Sequence, residues 1–257
     1  MGAGRFLRFA AFGVAGAALV VIAAIAVLIL IESSKSPAER RQEWLAREYA
    51  LTASGAVILR EFPEEYESVF NATWTLFETE NVTLELRKKT ADAGLNIRRK
   101  YGRYVEQASD ASIRNALSHY VSMLQRMKTN SVATCNNTLV LGAGMSGEPA
   151  SKEEFEAVDA AGAAAMEAMA DGRAHATLRE KASPEDFKAF GAALANNRLT
   201  SDDLEKFGNT SIDYWDCQVA LVFYATALSL KGEGGNRIRS YLLGKMTSLD
   251  RPTASSE

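Results

Sequence analysis

The residues best placed to do chemistry lie around position 140, where Leu139-Val140-Leu141-Gly142-Ala143-Gly144-Met145-Ser146-Gly147 has the spacing G-x-G-x-x-G behind an apolar triplet. In dinucleotide-binding domains such glycines let backbone amides approach a pyrophosphate at a helix N-terminus. The context argues against that chemistry here. Glu148 and Pro149 stand before the next helix, where a carboxylate repels phosphate. About 20 residues on, where an acidic residue should end a second strand, the chain reads as Ala-rich helix. The Lys and Ser/Thr that complete a P-loop are missing as well. The stretch reads as a loop between two halves of a domain, and no cofactor is expected.

The other reactive side chains are sparse. His119 and His175 are the only histidines, too few and too far apart for a His-x-x-x-His metal site. His119 lies on a helix beside the core position Tyr120 and reads as a partly exposed structural residue. No nucleophile signature surrounds either histidine, so neither a catalytic residue nor a metal ligand is assigned. Glu61, Glu64, Glu65, Glu67, Glu78 and Glu80 cluster about one helix, and paired carboxylates are what glycoside hydrolysis requires. Acidic residues at a helix start and on its outer face are ordinary, however. Arg87, Lys88, Lys89, Arg98, Arg99, Lys100 and Arg103 fall on the next helix. They form a possible basic interaction face for anionic headgroups or an anionic partner. The competing reading is surface pairing with the acidic helix, each pair worth little. Four N-x-Ser/Thr triplets begin at Asn71, Asn81, Asn136 and Asn209. The Ala-rich apolar N-terminus favours a bacterial inner membrane over a glycosylating compartment.

Cys135 and Cys217 are the only cysteines and lack metal-ligand spacing. In an oxidising compartment a long-range disulfide is the natural expectation, with two buried thiols as the competing one.

The elements that would carry these residues begin with residues 9–31, 23 in a row without a charge. As a helix they reach about 34 Å, enough to cross a hydrocarbon core of about 30 Å. A cleaved signal peptide has a shorter apolar region, about 7–15 residues, and ends in small side chains. This run ends in Val27-Leu28-Ile29-Leu30-Ile31 and is expected to remain as an anchor. Arg5 and Arg8 favour a cytoplasmic N-terminus of about eight residues, with the main domain outside. A linker at 32–37 leads to a helical domain at 38–249, with a possible break near 130–150, and residues 250–257 form a disordered tail.

Within that domain Ser36-Pro37-Ala38-Glu39 starts a helix with Trp44, Leu45, Thr52, Ala56 and Leu59 on one face. Pro63 ends it and opens the next, striped by Tyr66, Val69, Phe70, Thr73, Trp74 and Phe77. A third helix is expected over 84–107, with Ile97, Tyr101, Tyr104, Val105 and Ala108 inward. After a Ser109 cap, a fourth carries Ile113, Leu117, Tyr120, Leu124 and Met127. Residues 130–150 read as irregular. Ser151 then caps an Ala-rich helix with Phe155, Val158, Met166 and Met169 among small residues suited to close packing. Ser183-Pro184 starts another helix, and 200–207 form a short one. Residues 212–230 read as the central core helix, since the uncharged run of 13 residues from Gln218 is too short to span a membrane. Gly232, Gly234 and Gly235 break it before a last helix.

The fold class expected is all-α: one N-terminal transmembrane helix followed by a soluble multi-helix bundle. With a net charge of only −3 there is no field to draw nucleic acid, and no nucleic-acid partner is expected. The function expected is that of a single-pass accessory, assembly or scaffold protein whose external helices bind a membrane or envelope protein. The alternatives are a ligand-sensing bundle acting through another subunit and an anchored cell-envelope enzyme.

Overall fold

The computed structural model describes residues 35–73, 82–141, 151–208 and 217–247. Every regular element among them is a helix. Among the described residues no helix is long and apolar enough to cross a membrane. The segment 9–31, where the anchor is expected, lies outside them, as do Gly142, Gly144 and Gly147.

The chain divides into two units between Arg47 and Glu48. Helix α1 (Pro37–Ala50) begins in the first. Its start follows the capping-box chemistry of its sequence: Ser36 N donates to Glu39 Oε2 at 2.6 Å, and Glu39 N donates to Ser36 Oγ at 3.2 Å. That hydrogen bond from the Ser36 backbone holds the Glu39 carboxyl below its ordinary range.

In the second unit the helix expected to continue to Pro63 breaks at Leu51 and restarts as α2 (Ala53–Glu61). Thr52 turns extended there, and its Oγ1 accepts from Gly55 N at 3.1 Å. Glycine is required at 55, because a Cβ would run into Tyr49 O. Restarting the helix rotates its inner face. Val57 and Ile58 are buried, while Ala56 and Leu59, expected inward, are only half-buried.

Helix α3 (Pro63–Thr73) opens with Glu64 and Glu65 in its first turn and buries Tyr66 edge-on to Tyr49, centroids 5.3 Å apart. The side chains of Val69, Phe70, Trp74 and Phe77 lie outside the described set. Helix α4 (Val82–Tyr101) then tightens into a 3-10 segment, η1 (Gly102–Gln107), where one continuous helix was expected. The change falls at Gly102, whose backbone lies against the end of the last helix: a Cβ would sit 2.9 Å from Thr247 O. Of the five residues expected inward, Ile97, Val105 and Ala108 are buried, while Tyr101 and Tyr104 are half-buried.

Helix α5 (Asp110–Asn130) is capped by Ser109 and buries Ile113, Leu117, Leu124 and Met127. Residues 132–141, read from sequence as irregular, instead form α6 (Val132–Leu141). The apolar triplet before the glycines is therefore helical, which removes the strand that a dinucleotide fold needs. Helix α7 (Lys152–Ala174) starts with a full Ser151/Glu154 capping box. Met166 and Met169 are buried. Phe155 is not, at 47% exposure, although it lies three turns ahead of Met166 on the same stripe; the buried side chain of that first turn is Glu154 of the capping box. The small residues of α7 do permit close approach, since a Cβ on Gly172 would run into Tyr104 O and come within 2.9 Å of Ala108 N.

Helix α8 (Pro184–Asn196) carries a second capping box, Ser183 with Asp186, and the short α9 (Ser201–Gly208) follows. Helix α10 (Cys217–Ser229) is the most apolar described helix but not the centre. Leu221, Val222 and Phe223 are only half-buried. The most extensive packing joins α5 to α7, and α7 also covers η1 and α2. Only Leu230 and Lys231 separate α10 from α11 (Gly232–Thr247). Of the three glycines expected to break the chain, Gly232 alone is left-handed, at φ +69°, and the other two lie inside α11.

Candidate functional site

The residues singled out by their chemistry are dispersed. Cys135 on α6 and Cys217 at the start of α10 are joined in a disulfide, with Cα atoms 5.8 Å apart. Beside it, Asn136 Oδ1 accepts from Cys217 N at 3.0 Å, so this N-x-Thr asparagine is held in the fold. His175 is exposed and sits 3.5 Å from Asp171. Among the described residues no group of His, Cys, Asp and Glu could hold a metal ion.

The basic residues of α4 and η1 go to different partners. Lys100 pairs with the buried Glu65 of α3 at 2.5 Å, an interaction that raises the lysine's pKa. Arg98 caps the end of α11, with Nε donating to Thr247 O at 3.0 Å and Nη2 to Met246 O. Arg103 lies over the Tyr104 ring and donates to its hydroxyl. Arg99 is exposed, and the side chains of Arg87, Lys88 and Lys89 lie outside the described set. Arg173, not singled out from sequence, stacks between Phe62 and Tyr101 at about 5 Å from each ring.

Two concave sites emerge that no sequence motif marks. The first is an apolar groove of about 370 Å³ lined by Phe187, Phe190, Leu194, Leu204, Phe223 and Tyr241. On α8, residues 187, 190, 191 and 194 form a single helical stripe. Beneath it Phe190, Leu194, Ala227, Ile238 and Leu242 form a local core. Phe187 and Tyr241 meet edge-on at the mouth, centroids 5.2 Å apart, and both remain over a third exposed. Lys188 is exposed beside Phe187, and Lys245 lies over the Tyr241 ring.

The groove's walls are set by polar contacts. Arg237 of α11 grips Asp186 of α8 through two hydrogen bonds, 2.8 and 3.0 Å. That grip, with the Ser183 backbone, lowers the Asp186 pKa to about 2. The buried Arg239 donates to the carbonyls of Ala227 (3.1 Å) and Leu230 (2.8 Å) and to Asn236, closing the α10–α11 corner. Asn236 in turn donates to Asp110, which also accepts from Arg179. Arg179 further donates to the carbonyls of Glu106 and Ala108, and Thr177 N donates to Gln107 O. These contacts pin an irregular segment whose Leu178 is 97% exposed.

The second site is a cleft of about 320 Å³ among α2, α5 and α7. Its floor is Ala53, Ala56, Val57, Ala160, Ala163 and Ala164, and its polar rim is Arg60, Asn115, His119 and Glu167. Comparison with protein-family models, with curated proteins and with solved structures finds no match for this chain.

Proposed function

We propose that this chain is a single-pass, membrane-anchored accessory or assembly protein whose helical domain binds a partner protein. In this reading residues 9–31 anchor it in an inner membrane, with the N-terminus inside and the domain outside. The groove on α8, α9, α10 and α11 carries the proposal. It is apolar along its length and bears exposed aromatic side chains, the type that anchors protein interfaces. Two lysines stand beside those rings. Over two helical turns the α8 stripe runs about 10 Å, a length that suits a short amphipathic helix lying in a groove. The occupant that fits is therefore a helix of a partner protein with an apolar stripe and an acidic flank facing Lys188 and Lys245.

Photo-crosslinking of the full chain in native membranes tests this, with the reactive group at Phe187 or Tyr241 and a control at the exposed Val132. The expected result is an adduct at the groove positions only, mapped to an acidic amphipathic helix and weakened by K188E with K245E. Adducts of this chain with itself, adducts with lipid alone, or equal labelling from Val132 would overturn it.

A further inference from the structure

The cleft among α2, α5 and α7 has an order of its own, independent of the groove. On α2 its lining residues are Ala53, Ala56, Val57 and Arg60; on α7 they are Ala160, Ala163, Ala164 and Glu167. Both sets follow the spacing i, i+3, i+4, i+7, so each is one stripe of a helix. Both stripes run from small apolar residues to a single charged one. The two stripes are matched start to start, because Asp159, two turns into α7, accepts from Ala53 N (2.6 Å) and Ser54 N (3.0 Å) at the head of α2. A turn or two further along, Arg60 Nη2 donates to Glu167 Oε1 at 3.1 Å. The cleft thus has an alanine floor and one end closed by an ion pair.

Alongside, Asn115 and His119 of α5 stand at i, i+4 and point to the same cleft. Both are exposed, and neither makes a hydrogen bond among the described residues. Their donors and acceptors are available. Arg60 and Glu167 are each about half exposed, and such pairs contribute little to stability, so separating them costs little. Arg60 Nε also donates to Glu61 Oε1 at 2.7 Å, so separating Glu167 frees the Nη2 side of the guanidinium while Glu61 still holds it in place. That freed edge and the Glu167 carboxylate then face a space that holds a small molecule with an aliphatic body.

From this arrangement we propose that the cleft binds a small aliphatic α-amino acid in its zwitterionic form. The ligand's carboxylate takes Arg60, helped by Asn115 and His119; its ammonium takes Glu167; its side chain covers the alanine floor. A ligand with one charge meets only one of the two freed groups: an anion leaves the Glu167 carboxylate unmatched, and a cation leaves the Nη2 edge of Arg60 without its second acceptor. The alanines limit the body to a compact branched chain, and the cleft is about 10 Å long, since each stripe advances by seven helical steps.

The test is calorimetric titration of the full chain in lipid nanodiscs with L-valine, and with the two compounds that lack one of its charges, isovalerate and isobutylamine. L-valine is expected to bind, and each half-analogue to bind at least about tenfold more weakly. R60Q and E167Q should each weaken L-valine by about tenfold or more, and the charge exchange R60E with E167R should restore part of the loss. A160L, which fills the half-buried floor, should abolish binding while the thermal melt stays sharp. L178S, at an exposed position outside both concave sites, should leave binding unchanged; the titration holds no partner protein, so failure of the groove would not carry over to the cleft. Equal binding of all three compounds, no heat from L-valine at tens of millimolar, or undiminished binding by R60Q and E167Q would each overturn the proposal.

Discussion

Arg239 heads the largest fully buried side chains, at 1% exposure, and it carries a charge. Burial pushes its pKa down, and the neighbouring Arg114 pushes the same way. Its guanidinium is retained because it satisfies the carbonyl of Ala227, in the last turn of α10, and that of Leu230 just past its end. Arg239→Ala should therefore lose more than a surface charge. It empties a filled volume and leaves two buried acceptors unmet, at about 3 kcal/mol or more in urea unfolding. Arg239→Met keeps much of the volume and should recover part of that loss. Gly172 is the opposite case, a residue defined by what it lacks. Gly172→Ala would drive a methyl into Tyr104 O, separating α7 from η1 at about 1–3 kcal/mol. A lowered thermal midpoint is the expected readout.

Between elements, two ties have distinct chemistry. The Cys135–Cys217 disulfide joins α6 to α10 across 82 residues, a long loop whose closure restricts the unfolded chain. Replacing both cysteines with serine should lower stability by about 2–4 kcal/mol, and reductant should lower that of the wild type but not of the variant. The Asp186–Arg237 contact joins α8 to α11 and responds to pH. With its pKa at about 2 when folded, against about 3.9 for a free aspartate, the carboxylate binds a proton more readily in the unfolded chain. Its contribution is present in full above the unfolded value and fades as pH falls toward 2. Thermal melts of wild type and Asp186→Asn should differ most above about pH 4 and converge near pH 2. A constant difference across that range would show that the contact does not titrate as described.

For the molecule as a whole, burial alone does not account for where its aromatic side chains sit. Phe187 and Tyr241 contact each other but keep over a third of their surface in solvent, so their pairing contributes modestly, about 0.5–1.5 kcal/mol. The double substitution F187A with Y241A should lower stability by more than the pairing alone, because the buried part of each ring is lost too, and should weaken the proposed partner contact by about 2 kcal/mol or more, as anchoring aromatics at interfaces often do. Leu178 provides a second comparison. Almost fully exposed on a segment pinned by Arg179, it buries nothing, and Leu178→Ser should leave the melting temperature unchanged within error.

The sequence alone determined what depends on neighbours within a turn or two. Helix starts at Ser36, Ser109, Ser151 and Ser183 were legible because a cap is a contact across three residues. The buried stripes of α5 and the last turns of α4 were legible because helical period places them on one face. The short reach of that logic also explains its failures: the break at Thr52, the tightening at Gly102 and the helix over 132–141 depend on residues distant in sequence or on a local balance that propensity does not settle. Tertiary structure alone decided the two concave sites. Neither Ala56 with Ala163 nor Phe187 with Tyr241 is paired by any spacing in the chain; α2 meets α7, and α8 meets α11, only after folding. The disulfide lies between these cases. Two cysteines in one chain made the pairing a natural expectation, but bringing α6 and α10 to 5.8 Å required the core that α5 organises.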